Sequence, residues 1–136
     1  MKKNNRATGL KAENYFASRL NEVGIEHSFE DTWFDFRVNG HPVEVKSCQP
    51  SVVTISHGRS RKTVGRFDFT KALNRKKQRK HNIWVCFVLR RRSEFLLYGF
   101  IQARGLPDKR YVSVHEASEL KLFSFEQWIR KINRGT

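Results

Sequence analysis

A chain of 136 residues with 38% hydrophobic content and eleven Phe has the material for one folded domain with a real core. Twenty-seven Lys and Arg against thirteen Asp and Glu give a net charge of +14, which points to a polyanionic partner, nucleic acid being the commonest in a cell. No apolar run approaches the roughly 20 residues of a transmembrane helix, and the basic start Met1-Lys2-Lys3 lacks the apolar stretch of a signal peptide, so no membrane partner is expected. Cys48 and Cys86 read as reduced thiols of a cytoplasmic protein, and no Cys/His spacing fits a zinc site.

Residues 1–7 read as a flexible basic arm. A helix follows over 8–24, with Leu10, Ala12, Phe16, Ala17, Leu20 and Val23 at helical spacing and Gly24 as terminator. On the helical wheel Glu13 falls inside this apolar stripe, where a charge is costly unless it is paired or bound to a metal. A weak strand pattern spans 26–30.

Residues 33–47 carry the clearest signal. Trp33-Phe34-Asp35-Phe36-Arg37-Val38 alternates, Asn39-Gly40 is a preferred two-residue hairpin turn, and His41-Pro42-Val43-Glu44-Val45-Lys46 alternates again. A two-residue loop pairs 38 with 41, 37 with 42, 36 with 43 and 35 with 44. Asp35 and Glu44 then oppose each other with Cβ atoms about 4.5–5.5 Å apart, and Lys46 shares their face. The opposite face, Phe34, Phe36, Val38, Val43 and Val45, is a core surface. Opposed like charges destabilise a sheet. A divalent cation bound by hard oxygen ligands relieves the repulsion. The plainer reading, a solvated face neutralised by Lys46, requires no ion.

Val52, Val53, Thr54 and Ile55 around a polar tip at 57–62 suggest a protruding hairpin within 49–69. Thr70 is a possible cap for a basic helix over 71–80. Ile83 to Leu89 reads as a buried central strand, 94–101 as its neighbour after a turn at 90–93, and 110–114 as a short strand. Ser124 and Gln127 form a capping box that opens a last helix. The order helix, strands, helix, strands, helix is that of an α/β or α+β sandwich with a mixed sheet, over a single domain 1–136.

Phosphate contacts are expected from Arg59, Arg61, Lys62 and Arg66 on the loop or hairpin tip, and from Lys71, Arg75, Lys76 and Arg79 on the basic helix, with Arg90 to Arg92 as a third cluster. No base-reading motif is visible.

Asp35, the spacing to Glu44-Val45-Lys46, and Glu13 on a preceding helix together resemble the PD-(D/E)XK nuclease superfamily. The opening Arg6-Ala7-Thr8-Gly9-Leu10-Lys11-Ala12-Glu13 is similar to that of archaeal Holliday-junction resolvases. Gly65-Arg66-Phe67-Asp68-Phe69-Thr70, then the basic helix and the strand at 83–89, is similar to restriction-endonuclease-like members. The resemblance spans about 6–101, and the segment after Lys46 is longer than in the resolvases.

It implies an α/β fold with a restriction-endonuclease-like core, a mixed β-sheet flanked by helices in αβββαβ order with an extra C-terminal helix, and a metal-dependent DNA endonuclease of recombination, repair or restriction. Mg²⁺ or Mn²⁺ would be held by Asp35, Glu44 and the Val45 carbonyl, with Glu13 joining directly or through water. Lys46 would act on the attacking water or the phosphate, and a homodimer would cut both strands. Exposed apolar residues among Phe95, Leu96, Leu97, Tyr98 and Phe100 would then be candidates for the dimer surface. A non-catalytic basic nucleic-acid-binding module and an RNA-directed nuclease are the competing readings.

Overall fold

The computed structural model describes residues 2–69 and 72–134, with side chains from residue 9 onward save residue 72. The expected Thr70 cap and Lys71 lie outside the described residues.

Helix α1 (Lys2–Glu22) includes backbone that the sequence assigned to an arm. It ends in a Schellman motif: Gly24, at φ +70, donates its N–H to Asn21 O, and Ile25 N–H donates to Leu20 O. Among its described side chains the buried stripe is Ala12, Phe16 and Leu20, one residue every turn. Leu10 and Val23, expected in that stripe, are half exposed at 53% and 50%.

A five-stranded sheet follows the order β1 (His27–Phe29), β2 (Phe36–Val38), β3 (His41–Cys48), β7 (Trp84–Arg91), β8 (Glu94–Gln102). Neighbours are antiparallel except β3 and β7, which run parallel with Glu44 beside Val85 and Lys46 beside Phe87. This is the expected α/β architecture with a mixed sheet flanked by helices. The β3–β7 crossover holds a hairpin, β4 (Ser51–Ser56) and β5 (Arg59–Val64), then β6 (Arg66–Asp68) and helix α2 (Ala72–His81). Strand β6 pairs with β9 (Tyr111–Ser113), which helices α3 (Val114–Ser118) and α4 (Phe125–Arg134) follow.

The apolar run of β7 is buried on both faces. On one side α1 and α4 cover Val43, Val45, Cys86 and Val88, with Trp128 stacked on Phe100 at 4.1 Å between ring centroids. On the other, Phe67, Phe69, Val85, Phe87 and Val112 form a second core. Phe34 belongs to this second core, contrary to the alternation that placed it beside Phe36. The chain bends over 32–35, so β2 starts only at Phe36 and the period-two pattern breaks before Phe34. The capping box of α4 forms as expected: Gln127 N–H donates to Ser124 Oγ at 3.1 Å, and Ser124 N–H to Gln127 Oε1 at 2.9 Å.

Phe95 to Phe100 are largely used within the chain. Tyr15 stacks on Phe95, Phe100 is fully buried, and only Leu96 is largely exposed, at 57%. Among the described residues no helix is long and apolar enough to cross a membrane.

Gly65 is where the hairpin rejoins the body. Its N–H donates to Pro50 O at 2.9 Å and its carbonyl accepts from Val114 N–H at 2.8 Å. A Cβ there would meet the Gln49 carbonyl oxygen at 1.6 Å. Gly65→Ala is therefore expected to cost about 1–3 kcal/mol, read as a lower urea midpoint with unchanged m-value.

Candidate active site

The turn at Asn39 and Gly40, at φ +47 and +83, sets the expected register: Val38 opposite His41, Arg37 opposite Pro42, Phe36 opposite Val43. Asp35 lies one residue beyond the last pair, at the end of the bend. Its N–H donates to Val43 O at 3.1 Å, its carbonyl accepts from Glu30 N–H at 2.8 Å, and its Oδ2 accepts from Val45 N–H at 2.8 Å. The side chain is thus pinned against β3 where β2 has given out. The Glu44 side chain is 13% exposed, and its Oε2 is 3.3 Å from Lys46 Nζ, which sits 5.1 Å over the Phe69 ring.

The two carboxyls are close enough to share a proton, and burial pushes both up. For Glu44 burial is the largest cause, the Asp35 charge adds to it, and Lys46 offsets only part, leaving a pKa of about 8. For Asp35 the Val45 N–H, Glu44 and Lys46 oppose the burial without cancelling it. One ammonium does not neutralise two buried carboxylates. Either a proton or a cation must complete the balance. A plain solvated face would show no such deficit.

Glu13 approaches from the other side. It is half-buried in a groove with Leu10, Ala17, His27, Phe29 and Phe36, and does not line the cleft that holds Glu44 and Lys46. Burial first, then the charges of Asp35 and Asp31, raises it to about 7. It therefore meets the site through Asp35. Among the described residues no three acidic, His or Cys side chains gather tightly enough to hold an ion by themselves.

Two carboxylates and a backbone carbonyl with water are nevertheless a fitting set for Mg²⁺, which keeps several waters and takes one or two carboxylates. Val43 O and Val45 N–H both point to the β2 edge of β3. The N–H and C=O of one strand residue point the same way, so the Val45 carbonyl also faces the Asp35 side.

Glu44, Lys46, Phe69, Asn74, Arg75 and Gln78 line one small cleft. It shares Phe69 and Arg75 with a neighbouring cleft of about 600 Å³ that adds Lys76, Arg79, Lys109 and Arg110. Arg75 is buried. Its guanidinium stacks 4.4 Å over Phe69 and donates through Nη2 to Pro107 O at 2.6 Å, while Nε and Nη1 have no partner among the described residues. Arg79, expected on a phosphate-binding face, instead donates to the carbonyls of Leu106 and Ala103 at 3.0 and 3.5 Å, so it holds the 103–106 turn. Lys76 is exposed. Arg66 stacks 3.9 Å over Tyr111 at the root of the hairpin. Arg59, Arg61 and Lys62 lie exposed on β5, away from the clefts.

Sequence reasoning missed Gln78, which is 4% exposed and donates through Nε2 to Trp33 O at 2.8 Å, tying α2 to the bend before Asp35. It also missed Phe69 as the platform under Lys46 and Arg75. The i, i+3 spacing of Arg75 and Gln78 was the available signal.

No curated protein and no solved structure matches the chain. A family model described as a PD-(D/E)XK nuclease superfamily domain matches residues 1–123, a stretch that holds every candidate site residue and ends just before α4. With that match spanning most of its length, the chain belongs to the PD-(D/E)XK nuclease superfamily.

Proposed function

We propose that this chain is a Mg²⁺- or Mn²⁺-dependent endonuclease that hydrolyses phosphodiester bonds in DNA. The observation that carries the reading is the buried carboxyl pair Asp35–Glu44, under-neutralised by Lys46 in a chain of net charge +14. A proton balances the pair in the free protein near neutral pH, and a divalent cation would replace it on binding. Asp35, Glu44 and the Val45 carbonyl would hold the ion, with Glu13 reaching it through water. A bound divalent ion lowers the pKa of a water ligand and neutralises phosphoryl oxygens.

The protein's own groups do the rest. Lys46, fixed between Glu44 and the Phe69 ring, offers N–H donors to a phosphate oxygen or to the attacking water. Arg75 lines the same small cleft, its buried Nε and Nη1 lack a partner among the described residues, and it would bind the same or the next phosphate. Lys76 and Arg110 continue that charge along the neighbouring cleft, where Lys109 is paired with Glu116 and Asp108 also lies. A homodimer would bring two such centres to opposite strands.

The test is incubation with plasmid, a four-way junction, single-stranded DNA and RNA, each with EDTA, Mg²⁺ or Mn²⁺. The expected outcome is metal-dependent cutting of DNA that Glu44→Ala abolishes. Binding without cutting under every condition would support the non-catalytic module, and cutting of RNA alone would support the RNA-directed enzyme.

A further inference from the structure

The β4–β5 hairpin is used by none of the chemistry above. It leaves the catalytic strand only two residues after Cys48 and returns at Gly65. Every residue of β5 and all of β4 except Ser51 are exposed, so the ribbon stands clear of the body on both faces. A lone two-stranded ribbon is marginal in water and gains from a partner.

Its register divides it sharply. Val52, Thr54 and Ser56 oppose Thr63, Arg61 and Arg59 on one face, and Ser51, Val53 and Ile55 oppose Val64, Lys62 and Ser60 on the other. The second face exposes three aliphatic side chains, Val53 at 63%, Ile55 at 79% and Val64 at 55%, with Lys62 among them. The turn at His57 and Gly58, at φ +53 and +74, keeps the tip narrow.

From Val45 to Phe67 the chain carries no acidic residue, while Lys46, Arg59, Arg61, Lys62 and Arg66 are all cationic. A second copy of the chain would bring those same cations against each other. A polyanion would not, and duplex DNA also offers apolar surface in the thymine methyls of its major groove. Six residues per strand span about 20 Å, and the major groove, about 12 Å wide, admits a two-stranded ribbon.

We propose that the β4–β5 ribbon is a groove-inserting arm for duplex DNA. Val53, Ile55 and Lys62 meet base edges, and Arg59 and Arg61 reach from the outer face to the flanking phosphates. The proposal rests on nucleic acid being the substrate. It adds that this substrate is a duplex, held by a contact outside the cleavage site.

The test is fluorescence anisotropy with a 3′-fluorescein 30-base-pair DNA duplex and its single strand, in EDTA over a range of salt. Val53→Ser/Ile55→Ser is expected to weaken duplex binding about tenfold with an unchanged salt slope, and to leave single-strand binding alone. Arg59→Ala/Arg61→Ala is expected to lower the slope by about 2, at roughly 0.9 per phosphate contact. All four positions are exposed, so a matching melting temperature separates lost contact from lost fold. Wild-type duplex affinity in the serine variant would overturn the proposal. So would sedimentation showing a wild-type dimer that the serine variant converts to monomer. Because binding is read without metal, a protein that never cuts DNA still reports on the ribbon, and a ribbon that binds nothing leaves the cleavage test intact.

Discussion

Replacing Lys46 with methionine is expected to slow DNA cleavage by about 10²–10³ while duplex binding changes by less than about threefold. The methionine keeps an apolar stem against Phe69 and removes only the ammonium, which lies 3.3 Å from Glu44 Oε2. One charge among many phosphate contacts contributes little to affinity. The same charge beside the scissile phosphate acts where negative charge develops. A second consequence separates Lys46 from a generic cation. Lys46 is what lowers the Glu44 carboxyl against burial and Asp35. Without it, more hydroxide is needed to free the pair, so the pH at which Mg²⁺ supports half-maximal cleavage should move up. Asp35→Ala and Glu44→Ala should each lose activity at least as severely, and the double variant little more than either, because both serve one ion. Single-turnover rates across pH 6–9 would decide it. A methionine variant cutting at the wild-type rate with an unmoved pH profile would remove Lys46 from the chemistry.

The parts of this site that could be read in the sequence are those governed by short-range rules. Asn39-Gly40 has the residues that accept two positive φ values in succession, so the turn, the register and the approach of Asp35 to Glu44 follow from it. Alternation then puts Lys46 beside Glu44. What could not be read depends on contacts distant in sequence. Trp33-Phe34-Asp35 alternates like a strand, yet Gln78 draws the Trp33 carbonyl toward α2 and the chain bends, sending Phe34 to the opposite core. Helix α2 inverts the usual pattern: Leu73 is 84% exposed, and among the described side chains of the helix the buried ones are Arg75 and Gln78. Their partners are carbonyls at Pro107 and Trp33, which no local pattern announces. Helical spacing sets Glu13 inside an apolar stripe only if Leu10 belongs to it. With Leu10 exposed, the stripe narrows to Ala12, Phe16 and Leu20, and Glu13 stands at its edge facing Asp35.

The metal-free protein is expected to lose stability as pH rises from about 5 to about 8, and Mg²⁺ is expected to restore it. Glu44 titrates near 8 in the folded chain against an ordinary 4.5, and Glu13 near 7. Between those limits the folded state holds protons that the unfolded chain has released. Unfolding then releases protons, and its free energy falls as pH climbs. Below about 4.5 both states are protonated and this contribution is complete. Above about 8 both are ionised and it is gone. For the largely buried Glu44 the loss is on the order of a few kcal/mol. Protonation elsewhere also changes a chain already at +14, so the informative quantity is the difference from Glu44→Gln, which keeps the shape and cannot ionise. Melting temperatures in EDTA should fall more steeply with pH for the wild type than for the glutamine variant, leaving the variant the more stable protein at pH 8–9. Added Mg²⁺ competes with the proton for the same oxygens, so its stabilisation should grow with pH in the wild type and be small in the variant. Parallel melting curves for the two proteins, with no response to Mg²⁺ or Mn²⁺ at pH 8, would show that Asp35 and Glu44 already have their charge balanced by the protein, and the case for a metal centre would fall with them.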